Sequence, residues 1–421
     1  MKNEPNVLFP EPDYSRVPFG IYHDAEIYEQ EMERIFRGPT WLFLGLECEI
    51  PNPGDYRTSW LGDTPVIYNR GQDGAVHCFV NRCAHRGAIV RRENYGNASE
   101  HTCIYHRWCY DLEGNLIGVP FQRGVQGKGG MASDFDKTEH PLRKLRVDIY
   151  GGILFATFRG DEVETLDTYL GPNHRSHLDR IMHKPIKVLG YQRQHIAGNW
   201  KLYNENLRDQ YHGSLLHEFQ STFGIARITQ NGGAKLDPRH RHNISWSEEG
   251  TDDDEEATRA YQDANVKQGV LTLKDDSYIW FVPEYDDGIS ISICSIFPNA
   301  CVQQIRNSLA TRQIRPKGMD AFELYWTVFG YEDDDAEMTS HRLLQSNMIG
   351  PAGLISMEDG EAVEIAHRAP LRDGDQCSVI EMGGGGEILT DINFKASDIA
   401  VRGFWSYYAE LMGMEPENAY R

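Results

Sequence analysis

From Thr40 onward, short β-branched and aromatic runs alternate with tight turn signals. TWLFLGLECEI, DYRTSWLG, TPVIYNR and AVHCFVN are separated by Pro-x-Pro-Gly, Gly-Asp and Gly-Gln-Asp-Gly. This pattern predicts a compact antiparallel unit of hairpins, closed by two further strands in LRVDIYGGILFATF. Ahead of it, Pro10, Pro12 and Pro18 break the chain early, and DAEIYEQEMERIF has the apolar spacing of an amphipathic helix. Beyond residue 158 the texture shifts to helical spacing around LDTYLGPNHRSHLDRIM, a strand-like KVLGYQRQHI, and a long amphipathic stretch over residues 199–219. Strand-like runs resume in SYIWFVPEY, ISISICSIFP, CVQQIRNSLATRQIRP and AFELYWTVFGY, and alternation in QQIRNSLATRQI predicts one buried and one wetter face. A helical tail follows, interrupted by four glycines at 383–386. No Gly-Lys-Ser/Thr follows them, so they read as a turn rather than a phosphate loop.

At 421 residues the chain is too long for one ordinary core, and two domains are expected. Hydrophobic residues at 40% and charged residues at 25% describe a globular protein. No apolar run reaches membrane-spanning length, and MKNEPNVLFPEPDYSR has no basic segment followed by an apolar one, so a cytoplasmic protein is expected. A net charge of −21 argues against a non-specific nucleic-acid footprint, and any bound anion must be held by a few local cations. The acidic run over 248–256 reads as a solvated loop. Eight cysteines in a chain this long are not a disulfide framework. Six of them (Cys48, Cys78, Cys109, Cys294, Cys301 and Cys377) are scattered, as suits a reducing compartment.

The other two cysteines change the picture. Residues 81–110 hold Cys83-x-His85 and Cys103-x-x-His106, one thiolate and one imidazole in each of two short boxes set in loops of the β unit. Structural zinc sites more often pair Cys with Cys in one box and His with His in the other. Two sulfurs on one metal and two nitrogens on another is what a Rieske [2Fe–2S] cluster needs. Cys109 lies near the second box, but the boxes already supply four ligands.

The stretch 199–219, NWKLYNENLRDQYHGSLLHEF, contains Glu205, Asp209, His212 and His217. At ~100° per residue, Glu205, Asp209 and His212 share one helical face, whereas His217 lies roughly 140° from His212. A break near Gly213 is therefore expected if both imidazoles are to meet one atom. Two histidines and a carboxylate with open positions suit a non-haem Fe(II) that activates oxygen.

The boxes CAHRG and CIYHRW, followed by Glu-x3-Asp-x2-His-x4-His, resemble the large subunit of Rieske non-haem iron aromatic-ring-hydroxylating oxygenases over essentially the whole chain. The resemblance implies an α+β architecture: a lead-in over 1–38 packed on the catalytic domain, a small all-β Rieske domain over 39–158, and over 159–421 a catalytic domain whose antiparallel sheet is covered by helices. It implies that Cys83 and Cys103 hold one cluster iron and His85 and His106 the other, with His106 as the exit toward a neighbouring chain. His212 and His217 become ligands of the mononuclear iron. The third is Asp359 in GPAGLISMEDGEAVE, where many relatives have Asp-Asp in place of Glu358-Asp359; Glu358 and Glu361 are the alternatives. Asp209 matches the acid that links the iron's histidine to a cluster histidine of the neighbouring subunit, which implies a ring of large subunits.

Electrons from NAD(P)H would arrive through a reductase and possibly a ferredoxin. The assembly would be an α3 trimer, or an α3β3 hexamer with a small β subunit. Within the family, RVPFGIY, IPNPGDYRT, GNWKLYNEN, ISMEDGE and VIEMGG resemble the branch acting on carboxylated aromatics, the anthranilate, salicylate and terephthalate oxygenases. Arg312 is the expected carboxylate anchor, with Lys395 as a second cation and Ser247 as a hydroxyl donor. Arg402 is expected to be a structural partner of an acid in the last helix. An ortho-substituted benzoate is the leading substrate, with a terephthalate-type dicarboxylate or an indole-3-acetate-like bicyclic acid as alternatives. The readings from other classes are a Rieske electron carrier without oxygenase activity and a zinc-binding interaction module.

Overall fold

The computed structural model describes residues 8–250, 254–266, 271 and 273–416. It divides into two units: one is Phe36–Leu166, the other combines Met1–Ile35 with Asp167–Arg421.

In the smaller unit, among the described residues, seven strands form one antiparallel sheet. Their order is Leu42–Leu46, Ile153–Thr157, Lys144–Tyr150, Val76–Val80, Thr64–Arg70, Asp55–Leu61 and Tyr95–Asn97. A second sheet of three short strands, His101–Thr102, Cys109–Tyr110 and Leu116–Gly118, carries the second Cys/His box in its first hairpin loop. Tyr56, Ile67, Phe79, Trp108, Tyr110 and Leu116 form one buried cluster that includes Cys83 and Cys103. The thiols therefore belong to the core.

The larger unit is built, among the described residues, on an eight-stranded antiparallel sheet. Its order is Ile186–Ile196, Phe322–Tyr331, Ser308–Pro316, Ala300–Ile305, Ile289–Ile296, Asn243–Glu248, Gly232–Leu236 and Asp391–Ile392. The strands Ala300–Ile305 and Ser308–Pro316 are buried at every position. The wetter face expected from their alternation does not exist. Their polar side chains bond to one another inside: Arg312 Nε donates to Gln303 Oε1 at 2.5 Å, and Arg315 Nε to Gln313 Oε1 at 2.6 Å.

Two further expectations are corrected. SYIWFVPEY forms no strand. Its backbone is satisfied by side chains: Val282 N donates to Asn307 Oδ1, Asn307 Nδ2 to the Val282 carbonyl, and His341 and Gln345 bond the Trp280 carbonyl. The acidic run is not a loop throughout, since Glu248 ends a strand and Asp254 begins the helix Asp254–Asp263; residues 251–253 lie outside the described residues.

Three helices position the site. Trp200–Asn206 is N-capped by Asn199, whose Oδ1 accepts from Lys201 N at 3.1 Å. It is anchored by a buried ion pair, Lys201 Nζ to Glu31 Oε1 at 2.6 Å, in which Trp200 and Tyr408 also donate to Glu31. With three donors on the carboxylate, that buried charge is tolerated. Leu354–Arg368 lies close to the sheet because Gly360 has no side chain; a Cβ there would sit 2.6 Å from Gln194 Nε2. The apolar helix Ile399–Met412 packs Gly403 against Leu236 in the same way. Among the described residues no helix is long and apolar enough to cross a membrane.

Candidate active site and cluster-binding loops

The two Cys/His boxes are built alike. Cys83 N donates to the Ala88 carbonyl at 2.8 Å and its own carbonyl accepts from Gly87 N at 3.0 Å. Cys103 repeats both bonds with Trp108 and Arg107, at 2.8 and 2.9 Å. Each turn closes through a residue with positive φ, Gly87 at 73° and Arg107 at 60°. The two loops bury their thiols and leave His85 exposed and His106 partly exposed. The imidazole centroids are 4.5 Å apart, and His85 stacks on Trp108 at 4.8 Å. Tyr110 hydroxyl lies 3.3 Å from Cys83 Sγ and accepts from Ala84 N at 3.0 Å, holding the first box in place. Two buried sulfurs and two outer nitrogens fit a cluster with one sulfur-ligated and one nitrogen-ligated iron. Cys109 stands apart from this set, on a strand opposite Thr102, with burial pushing its thiol up to about 11.

In the larger unit the expected long helix over 199–219 stops at Asn206. Asp209 breaks it: Oδ1 accepts from Tyr211 N at 2.8 Å and His212 N at 3.2 Å, a local bond that competes with helix continuation. His212 then begins the short 3-10 turn His212–Ser214, and His217, with φ −89° and ψ 73°, precedes the helix Glu218–Thr222. The break thus falls ahead of Gly213 as well as after it, and both imidazoles turn to one point. One donor atom each from His212, His217 and Asp359 lies within 4.8 Å of the others. His217 Nε2 is 3.2 Å and His212 Nε2 3.4 Å from Asp359 Oδ1.

Each imidazole is held from behind, and Asn206 bonds the Asp359 oxygen that faces them. Asp209 Oδ2 is 3.1 Å from His212 Nδ1, an ion-pair approach rather than an aligned hydrogen bond. Glu358 Oε2 meets His217 Nδ1 at 2.7 Å, and Asn206 Nδ2 donates to Asp359 Oδ1 at 3.0 Å. Burial disfavours a charged His212, but Asp209 and Asp359 outweigh it and push it up to about 10. Burial also works against an ionised Asp359, yet the two histidines hold its carboxyl well below the usual range. Two imidazoles and an anionic carboxylate around one point, with acids behind both rings, suit a divalent iron with open positions. Glu205, placed on the same face in the helical reading, is instead engaged by Tyr22 hydroxyl; desolvation pushes it up to about 8 against that hydrogen bond.

These three residues line a pocket whose other walls include Ile228, Ile291, Ile293 and Ile305, together with Ser247, Arg312 and Lys395. Arg312 is 3% exposed and its guanidinium stacks 4.4 Å from the Trp326 ring. Nε and Nη1 donate to Gln303 and to Tyr203 hydroxyl, and among the described residues no carboxylate lies within ion-pair distance. Lys395 Nζ donates to the Arg227 carbonyl and to Ser247 Oγ, and that hydroxyl in turn faces Gln230 Oε1 at 3.3 Å. Arg402 has its structural role, but its acid is Asp13 of the lead-in rather than one in the last helix, and it also bonds the carbonyls of Gly384 and Gly386.

Residues 40–128 match the Rieske [2Fe-2S] domain family, and residues 173–413 match the ring hydroxylating alpha subunit (catalytic domain). The chain belongs to the ring-hydroxylating alpha subunits. It is 49% identical to the anthranilate 1,2-dioxygenase large subunit of Burkholderia cepacia, covering 97% of this chain and 96% of that one. It is 43% identical to the terephthalate 1,2-dioxygenase terminal oxygenase component subunit alpha 2 of a Comamonas species, over 95% and 96%. Among solved structures, naphthalene 1,2-dioxygenase from Rhodococcus sp. superposes with a TM-score of 0.76 at 23% identity, over 94% of both chains, which speaks to fold. As a member of this family the chain is an enzyme that takes a Rieske cluster and a mononuclear iron.

For this alpha subunit, three supporting residues were not singled out from sequence: Tyr110 beside Cys83, Trp108 against His85, and Asn206 on Asp359. Tyr110 and Trp108 lie within a few residues of the boxes, a signal of proximity only. Asn206 carries none, because its partner is 153 residues away. Glu358 lies behind His217 and Glu361 is exposed, so neither faces the point where the three donors meet.

Proposed function

We propose that this alpha subunit hydroxylates the ring of an aromatic monocarboxylate, with an ortho-substituted benzoate of the anthranilate or salicylate type as the leading substrate. The observation that carries the reading is Arg312: a guanidinium buried on the pocket wall without a carboxylate partner among the described residues. A buried cation is costly unless an anion meets it, and a planar fork matches a carboxylate. Lys395 already donates to Arg227 and Ser247, which favours Arg312 as the single anchor and a monocarboxylate over a dicarboxylate. The 49% identity to an anthranilate dioxygenase large subunit points the same way.

In this reading His212, His217 and Asp359 hold the mononuclear iron, and Cys83, His85, Cys103 and His106 hold the cluster. When bound, the iron supplies activation of dioxygen beside the ring. The chain's own residues do the rest. Arg312 fixes the acid, the isoleucine walls pack the ring and exclude water, and Asp209 and Glu358 fix the orientation of the two imidazoles. Asp209 keeps 27% of its side chain accessible, as a link to a cluster histidine of a neighbouring subunit would require. Electron supply through a reductase and possibly a ferredoxin, a small β subunit, and an α3 or α3β3 ring belong to the same proposal.

The test is product analysis with a compatible reductase on a panel of 2-aminobenzoate, 2-hydroxybenzoate, terephthalate, indole-3-acetate and neutral aromatics. Highest kcat/KM on an ortho-substituted benzoate is expected. A preference for neutral rings rejects the carboxylate reading, and a preference for terephthalate or indole-3-acetate replaces the substrate within it.

A further inference from the structure

A second pair of imidazoles meets a carboxylate elsewhere in the larger unit. His23 follows the 3-10 turn Phe19–Tyr22, and Asp320 lies in the turn between the strands Ser308–Pro316 and Phe322–Tyr331. His367 sits in the last turn of the helix Leu354–Arg368, the helix that also carries Asp359. One donor atom from each residue lies within 4.8 Å of the other two. The two ring centroids are 4.5 Å apart, and His367 Nε2 is 3.2 Å from Asp320 Oδ1.

Two of these three segments, distant in sequence, are held together by Asn199. Its Nδ2 donates to the Tyr22 carbonyl at 3.1 Å and to the Met319 carbonyl at 3.0 Å, the residues immediately before His23 and Asp320. Gly198 brings the same strand end against the helix: a Cβ there would be 2.8 Å from Val363 Cγ1 and 3.6 Å from His367 Cβ. The backbone that presents the three side chains is therefore fixed before any ligand arrives.

The polar accounting at this place does not close within the chain. Among the described residues, both ring nitrogens of His23 are buried and make no hydrogen bond of ordinary geometry, while His367 Nε2 bonds Asp320 Oδ1. Buried nitrogens of this kind are rare in folded proteins because each forfeits its water without replacement. Asp320, with 68% of its side chain exposed, leaves one side open to solvent. Two imidazoles, one carboxylate and an open side are a ligand set that zinc accepts with water in the fourth position.

We infer that His23, Asp320 and His367 form a second metal site that takes Zn2+ or a similar borderline divalent cation. Ligand distances of ~2.0–2.1 Å in a tetrahedron place donor atoms about 3.4 Å apart. The His367–Asp320 separation is close to this, and one ring nitrogen of His23 lies within 4.8 Å of both donors. The site shares no residue with the pocket at His212, His217 and Asp359. Occupied, it pins the lead-in segment to the helix that carries Asp359.

The experiment uses the holoenzyme with iron and acid-labile sulfide measured first. The protein is equilibrated with Zn2+, washed, and its metals counted, and the zinc is then titrated against a chromogenic chelator. The wild type is expected to retain one zinc per chain beyond its iron, and to melt at higher temperature with zinc than without it. His23→Gln is expected to lose that zinc and the shift in Tm while keeping iron and sulfide. Asp320→Asn, on an exposed turn and hence safe for folding, is expected to bind zinc at least tenfold more weakly. Equal zinc retention and affinity in wild type and both variants, no zinc beyond the iron, or zinc gained only as iron is lost would each overturn the site.

Discussion

His217 is gripped from both of its ring nitrogens by consecutive residues: Glu358 Oε2 lies 2.7 Å from Nδ1 and Asp359 Oδ1 3.2 Å from Nε2. One helical turn thus presents an acid to the point where the donors meet and another to the back of the ring. Removing the rear acid should loosen the metal without touching its ligands. Glu358→Ala is expected to lower iron affinity about 10- to 100-fold. Iron content after dialysis, compared with unchanged acid-labile sulfide, checks it; wild-type iron retention would show that Glu358 does not support the centre.

Asp209 stands behind His212 as Glu358 stands behind His217, and like Glu358 it keeps a solvent-accessible side. If it couples the two metal centres across a subunit boundary, Asp209→Ala should retain the visible spectrum of the cluster and its iron and lose turnover. Normal turnover would sink the bridging role.

Arg312 separates acid from neutral substrates. A hydrogen bond to a charged group is worth about 1.5–3 kcal/mol, so Arg312→Gln should lower kcat/KM for benzoates by roughly 10- to 150-fold. Neutral aromatics should change far less. Equal loss on both classes removes Arg312 as anchor, and a circular-dichroism melt guards against a folding defect, since the guanidinium also supports Gln303 and Tyr203.

Metal and proton compete at His212. A ligating imidazole must be neutral, whereas Asp209 and Asp359, outweighing burial, raise His212 to about 10. Iron uptake by chelator-stripped protein should therefore release close to one proton from His212 at neutral pH, with the release fading as pH passes about 10. Titration calorimetry in buffers of different ionisation enthalpy measures it. The sign for stability follows from a folded value above the unfolded 6.5: in stripped protein the contribution is complete below 6.5 and is lost as pH rises through about 10. Denaturant midpoints that climb across that interval would contradict it.

The chemistry of this protein was legible in local spacing. Cys83-x-His85 and Cys103-x-x-His106 announce a split donor set because ligands a few residues apart on a loop have few ways to meet. Hairpin turn signals likewise marked the strands of the smaller unit, whose contacts are mostly between neighbours in sequence. Asp359 was reached only through resemblance to a family, and tertiary packing is what brings it to His212 and His217. Helical periodicity misjudged residues 199–219, since the side chain of Asp209 captures backbone N–H groups that a helix would have used. Alternation misjudged Ala300–Ile305 and Ser308–Pro316, because polar side chains that find partners inside a large sheet need no solvent face. Only the folded chain decides that Arg312 is buried with no acid at ion-pair distance among the described residues, that Glu358 backs a histidine 141 residues away, and that His23 meets His367. Those are long-range contacts, set by which surfaces pack together, and no local pattern encodes them.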